Sequence, residues 1–251
     1  MGGIGLKHPE KVAKAICTRM RMFFDSQGFE CGVLGVSGGV DSATTLILAV
    51  RALGAANVHA LLMPEKNVTK KSSLRDARAL CEQLAVDYDV IDIAPFLKSF
   101  KRLPWFANKH AWINVKPRIR MLLLYGYANA HKALVIGTSN KTELMLGYFT
   151  KWGDGSADIL PIASLYKTQV MELAEYLGVP KSILQRTPSA ELYVGQRDEA
   201  ELGASYEELD RALALLEQHR APRTKLEKRI AKMVERNKHK RALSYVVSPW
   251  D

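Results

Sequence analysis

Residues 35–42 read Gly-Val-Ser-Gly-Gly-Val-Asp-Ser, between a short apolar run (31–36) and a stretch with helical apolar spacing (41–53). A strand that turns through glycines directly into a helix is a building unit of open α/β sheets, and ligands bind at such turns. Gly38 and Gly39 carry no Cβ, so an oxygen anion can approach the backbone N–H groups. The helix that follows directs its positive end at the same point. Ser37 and Ser42 add hydroxyl donors, and the turn as a whole suits phosphate. It is not a Walker loop, because no Gly-Lys-Ser/Thr triplet follows, and it lacks the GxGxxG spacing of dinucleotide folds. Asp41 sets it apart. A carboxylate inside an anion cradle repels phosphate unless a cation lies between them, and Mg²⁺ fits that place. Asp41 would also suit a helix start, but capping alone does not call for the surrounding glycines and serines.

The remaining pattern alternates strands and helices. Helices are expected over 8–24, 41–53, 72–84, 118–131, 167–177, 206–219 and 224–237, with Pro117 near the start of the fourth. Strands are expected over 31–36, 58–63, 88–93 and 133–137. The fold class is therefore α/β, an open and mostly parallel sheet with helices on both faces. Residues 150–157 read as a loop, and 186–202 as a mobile surface segment. Residues 1–251 are expected to form a single domain.

Composition narrows the function classes. Hydrophobic residues make up 47% of the chain and charged residues 25%, an ordinary balance for a globular core. No apolar stretch has the length of a membrane span, and the first residues lack a signal-peptide core. Leu6 stands where a myristoylation pattern needs Ser or Thr. The expected compartment is the cytoplasm. Cys17, Cys31 and Cys81 form no Cys-x-x-Cys pair and read as small core residues. A formal charge of +10 favours an anionic partner, either nucleotide, polyphosphate or nucleic acid. Much of that excess lies in 220–241, where Leu226, Ile230 and Met233 mark the apolar side of a solvated basic helix.

The Ser-Gly-Gly-x-Asp-Ser turn resembles the signature of the pyrophosphate-loop ATPases. The run 137–169, the Asn114–Met121 stretch (NVKPRIRM), the run 188–210 and the terminal His239-Lys240-Arg241 resemble, in the same order, segments of ammonia-dependent NAD synthetases. That resemblance implies an adenine nucleotide α-hydrolase-like, Rossmann-like fold without a glutaminase domain. It implies an ATP site made by Gly35, Val36, Ser37, Gly38, Gly39, Val40, Asp41, Ser42, Thr138, Lys167 and Ser189. It implies Mg²⁺ on Asp41 and Glu143, and Lys167 on the phosphates. Arg118, Lys151, Asp158, His239 and Lys240 are implied for nicotinic acid adenine dinucleotide (deamido-NAD), with Asp158 as the base that takes a proton from ammonium. Asp154, Asp198 and Glu201 also occupy family positions. Pro117, His110 and Ile113 depart from the common pattern, which leaves Trp112 or His110 to stack on nicotinate.

The implied chemistry joins ATP, deamido-NAD and ammonia through an acyl-adenylate. The carboxylate attacks the α-phosphorus and releases pyrophosphate; ammonia then displaces AMP. Free ammonia is the expected nitrogen source and a homodimer the expected assembly, with no membrane or nucleic-acid partner. Two other functions suit parts of the sequence. A pyrophosphate-loop enzyme acting on tRNA would use the positive charge, and a nucleotide-binding module without activity would use the loop alone.

Overall fold

The computed structural model describes residues 4–245 and 247. The chain opens with helix α1 (Pro9–Gln27), strand β1 (Cys31–Gly35), α2 (Val40–Leu53), β2 (Val58–Leu62), α3 (Lys71–Gln83) and β3 (Asp87–Val90). It continues through α4 (Ala94–Phe100), α5 (Lys109–His131) and β4 (Ala133–Val135). The C-terminal part is helical: α6 (Lys141–Leu146), α7 (Lys167–Leu177), α8 (Lys181–Leu184), α9 (Asp198–Leu202), α10 (Tyr206–Glu217), α11 (Lys225–Arg236) and α12 (Lys238–Arg241).

The four strands form a parallel sheet in the order β3-β2-β1-β4. Strands β1, β2 and β4 are short and mainly apolar because both of their faces are covered, whereas the edge strand β3 (Asp-Tyr-Asp-Val) is largely exposed. Leu34, Ala60 and Leu62 pack with α1, α2, α3 and α7 on one side. Val33, Leu61 and Val135 pack with α4 and α5 on the other. From β1 the chain winds outward to β3 through α2 and α3, then crosses by α4 and α5 to β4 on the opposite flank. The order reverses between β1 and β4, which opens a crevice beyond their carboxyl ends. A third apolar cluster joins α10 and α11 to α6 through Leu146, Tyr166, Leu209, Leu213 and Ile230.

Three expectations change. The helix expected from 118 begins at Lys109, and Pro117 lies in its interior. Asn108 sets the start by accepting the amides of His110 and Ala111 at 2.9 and 3.2 Å. The cost of a mid-helix proline is outweighed by packing, since Pro117 is buried and lies close against Gly153. The segment 186–202, expected to lie loose on the surface, carries buried Gln196, Asp198 and Leu202. The strand expected over 88–93 is Asp87–Val90. Of the cysteines, Cys81 is fully buried, and Cys17 and Cys31 are half-buried.

One buried ion pair ties these layers together. Lys116 Nζ of α5 lies 2.6 Å from Glu65 Oε2 beyond β2, with side-chain exposures of 4% and 11%. The same ammonium donates to Leu192 O at 2.6 Å, anchoring the 186–202 segment. Removing one partner leaves a charge without compensation, so Lys116→Met is expected to destabilise the fold by about 3–5 kcal/mol. Urea denaturation checks this, with the double change Lys116→Met/Glu65→Leu recovering much of the loss.

Candidate active site

The glycine turn sits at the β1–β4 crevice. Val36 N–H donates to Leu61 O at 3.0 Å, which holds the end of β1 against β2. The loop then folds on its own hydroxyls. Ser37 N–H donates to Ser42 Oγ (3.2 Å), Gly39 N–H to Ser37 Oγ (3.2 Å), and Ser42 Oγ to Gly39 O (3.0 Å). Gly39 precedes α2 with no side-chain cap. The first bond of the helix ladder is Ala43 N–H to Gly39 O, so the amides of Val40, Asp41 and Ser42 stand ahead of it at the cleft wall. Gly38 has φ +80, and a Cβ there would lie 2.2 Å from Ser73 O. Arg186 fixes this turn from the side. It donates to Gly38 O at 2.8 Å and pairs with Asp76 of α3.

Three charged groups converge beneath the loop, each from the first turn of a helix: Asp41 on α2, Glu143 on α6 and Lys167 on α7. Lys167 pairs with Asp41 Oδ2. Asn140 holds the two carboxylates together. Its Nδ2 donates to Asp41 Oδ1 at 3.0 Å, its Oδ1 accepts the Glu143 amide at 3.0 Å, and its own amide donates to Glu143 Oε2 at 3.2 Å. This is a capping box, so Glu143 serves the helix start and the site together. Burial, then the neighbouring Asp41 charge, pushes Glu143 up to about 8. Burial works against the charge on Lys167, but Asp41 and Glu143 outweigh it, and its pKa rises.

Of the residues expected at ATP, Gly35, Val36, Ser37, Gly39, Val40, Asp41, Ser42, Thr138, Lys167 and Ser189 line one cleft with Glu143. Gly38 turns toward Ser73 and Arg186 instead. The cleft also has walls not singled out from the sequence: Arg120, Tyr148, Arg186 and Glu191. Arg120 lies two residues beyond Arg118, the arginine expected at the dinucleotide. Two residues apart on a helix means about 200° of rotation, so only one of them can face the cleft. Arg120 does, donating to Met63 O at 3.0 Å, while Arg118 is exposed. Tyr148 donates to Asp198 at 3.2 Å and to Glu201.

Four of the residues expected at the second substrate form a separate chain of contacts. Arg118 donates to Lys151 O at 3.2 Å, Lys151 Nζ to His239 O at 2.6 Å, and Lys240 Nζ to Gly147 O and Phe149 O at 2.8 and 3.0 Å. They bind α12 to the 147–151 loop, and burial lowers the Lys240 pKa. Asp158 stands apart from them. Its carboxylate accepts Val135 N–H at 2.7 Å and Tyr125 OH at 3.3 Å, which secures the β4 edge outside the ATP cleft walls. Asp154 lines that cleft instead, held by Thr150 N–H at 2.8 Å. Protein surrounds it although water still reaches it, and that crowding raises its pKa. Trp112 packs edge-on to Phe106 at 6.5 Å, while His110 is exposed.

A serine- and glycine-rich turn at the switch point of a parallel sheet, with two carboxylates and a lysine below it, defines an adenine-nucleotide-binding α/β domain of the pyrophosphate-loop type. The family model for NAD synthase matches residues 12–244. The chain is 49% identical to an NH₃-dependent NAD⁺ synthetase of Archaeoglobus fulgidus over 93% of its own length and 95% of that relative. It is 44% identical to one of Thermococcus kodakarensis, with 84% and 86% covered. Among solved structures, an NMN synthetase of Francisella tularensis superimposes with a TM-score of 0.86 at 36% identity, with 95% and 98% covered. An NH₃-dependent NAD synthetase of Campylobacter jejuni does so at 0.83 and 33%, with 96% and 99% covered. The chain belongs to the NAD synthase family, and it is an amide-forming ligase.

Two outcomes follow from this geometry. Gly38→Ala meets both an unfavourable φ and the Ser73 carbonyl. It is expected to cost about 2 kcal/mol or more and to lower ATP turnover at least about tenfold, read by thermal melting and AMP release. The second concerns pH. The folded chain holds the Glu143 proton to about pH 8, whereas an unfolded chain releases it near the ordinary 4.5. Ionising Glu143 therefore costs the fold stability as pH rises between those values. Glu143→Gln should raise the melting temperature of the protein, assayed without Mg²⁺ or nucleotide, above pH 8 and leave it nearly unchanged below pH 4.5. An equal shift at both ends would contradict this.

Proposed function

We propose that the chain amidates the nicotinate carboxyl of deamido-NAD with ammonia, using ATP, to give NAD, AMP and pyrophosphate. The observation that carries this is the convergence of Asp41, Glu143 and Lys167 under the glycine turn, in a chain that matches NH₃-dependent synthetases over nearly all its length.

ATP phosphates would lie on the turn, with the first-turn amides of α2 and the Ser37 and Ser42 hydroxyls as donors, and Thr138 and Ser189 further along the cleft. Asp41 and Glu143 suit Mg²⁺, which binds through one or two carboxylates and phosphate oxygens. Burial and the neighbouring Asp41 charge together keep Glu143 protonated, and a divalent cation between the carboxylates would offset both. Bound there, Mg²⁺ would screen the polyphosphate charge. Lys167 faces the same oxygens and stabilises charge that develops on departing pyrophosphate. The nicotinate carboxylate forms a bond to the α-phosphorus as the α–β phosphoanhydride bond breaks. Ammonia then adds to the acyl carbon, and AMP leaves with the carboxyl-derived oxygen. Holding two anions in register is the chain's main contribution, and such orientation is worth roughly 7–11 kcal/mol.

Arg118, Lys151, His239 and Lys240 supply cationic groups for the dinucleotide's own pyrophosphate, and Asp158 borders the same substrate. Asp158 remains the proposed base toward ammonium, and Asp154, which lines the cleft, is a second carboxylate placed near that role. Two chains pairing through α5 belong to the same proposal, since Leu122 stands 67% exposed there. Among the described residues no helix is long and apolar enough to cross a membrane, and the cytoplasm is the compartment proposed.

The likeness to the Francisella NMN synthetase supports a second substrate, the corresponding nicotinic acid mononucleotide. The deciding experiment offers each nucleotide with ATP, Mg²⁺ and either ammonium or glutamine, and follows AMP with the amidated product. NAD and AMP appearing together, with ammonium and the dinucleotide, is the expected result. Product from the mononucleotide at higher kcat/KM would replace the substrate, and no AMP from either would overturn the reaction.

A further inference from the structure

Lys167 presents a problem that the site itself does not solve. It is the first residue of α7, where a cation opposes the helix dipole. It is only 3% exposed, so water does little to relieve that conflict. The residue before it, Tyr166, gives the helix no side-chain cap. Serine, threonine or aspartate at that place would ordinarily provide one.

The missing acceptor comes from α10. Asp210 is wholly buried, and its three partners are neutral donors around the start of α7. Its Oδ2 accepts Thr168 N–H at 2.9 Å and Thr168 Oγ1–H at 2.8 Å. Its Oδ1 accepts the Thr142 hydroxyl, and that hydroxyl oxygen accepts Lys167 N–H at 2.9 Å. Thr142 directly precedes Glu143, so the same network fixes the backbone beside one carboxylate and under the lysine. One turn earlier on α10, the Tyr206 ring lies 5.3 Å from the Lys167 ammonium, and its hydroxyl donates to Asp198 at 3.2 Å. Residues four apart share a helix face, so α10 presents one surface to Lys167, an aromatic ring to its head and a carboxylate to its backbone.

We propose that Asp210 is a positioning residue for the reaction: through Thr142 and Thr168 it sets where the Lys167 ammonium stands relative to ATP. It touches no substrate. A local need for stability would be met by a capping side chain at 166. A carboxylate brought from a separate helix, and linked through Thr142 to the neighbour of Glu143, instead locks the registry of α6, α7 and α10. The inference rests on the proposed role of Lys167 at the phosphates.

The test is a double-mutant cycle on the full chain, with kcat and KM for ATP measured by AMP formation, single-turnover for the slowest variants, and melting temperature recorded for each. Asp210→Asn is expected to lower kcat about tenfold with KM for ATP within about threefold, and Thr168→Val to lower it less in the same sense. In a Lys167→Met background Asp210→Asn should leave kcat unchanged while lowering the melting temperature as before. A folded Asp210→Asn protein with full kcat would overturn the proposal, as would an equal loss of kcat with Lys167 absent. Full kcat for Lys167→Met would instead remove the phosphate role of Lys167 itself, so the two failures are distinct. If Asp210→Asn does not fold, Thr168→Val, which keeps the buried carboxylate, decides by the same comparison.

Discussion

A lysine ammonium removed from water is tolerated only where carboxylates face it at close range, and the position of Lys167 dictates much of this fold. The contact with Asp41 requires the starts of α2 and α7 to meet. The bridge from Asn140 brings the start of α6 to the same point. Those helices come from distant parts of the chain, and a parallel sheet with a switch point between β1 and β4 is what lets them converge. The arrangement is costly before ATP arrives: Glu143 holds its proton well above the ordinary carboxylate range, and Lys167 opposes its own helix. Such local conflicts are where a site stores the charge pattern that its ligand completes.

The parts of this design that rest on short-range rules were legible from the chain. The phosphate turn was, because glycine chemistry and a strand-to-helix junction leave few alternatives. The parallel sheet was, because its strands are apolar runs between amphipathic helices. The start of α5 was not. Pro117 offered a helix beginning, and only its packing on Gly153 shows why the proline could be carried inside a helix that starts after Asn108. That Arg120 faces the cleft was not legible, since the rotation that sends it there depends on which face of α5 the sheet covers. The segment 186–202 looked like solvent-exposed chain because its burial is polar. Gln196 and Asp198 are buried against tyrosine hydroxyls and the exposed Glu201, and hydropathy does not register that.

The two regions proposed to face nucleotides differ in kind. The ATP cleft is built from backbone amides, hydroxyls and residues at helix starts, all fixed by secondary structure. The cationic chain from Arg118 to Lys240 rests on a loop and a four-residue helix, and most of its hydrogen bonds run from side chains to carbonyl oxygens. Those carbonyls occupy the ammonium groups without neutralising them, which leaves positive charge for a polyanion. A rigid cleft paired with a cationic strap suits a reaction in which the first nucleotide must be held in line for attack while the second is admitted and released.

The carboxylates at 154 and 158 show how closely chemistry depends on the sheet edge. They stand only four residues apart, Asp154 within a glycine-rich loop and Asp158 just after it, and the family resemblance favoured Asp158. Asp158 lies beside β4, where Val135 N–H needs an acceptor, and its carboxylate supplies it. Asp154, four residues earlier, lines the cleft wall, where desolvation raises its pKa and the Thr150 amide opposes that rise. The same loop thus places one carboxylate at the sheet edge and the other at the cleft wall. The division arises from where β4 ends rather than from any difference in the residues themselves.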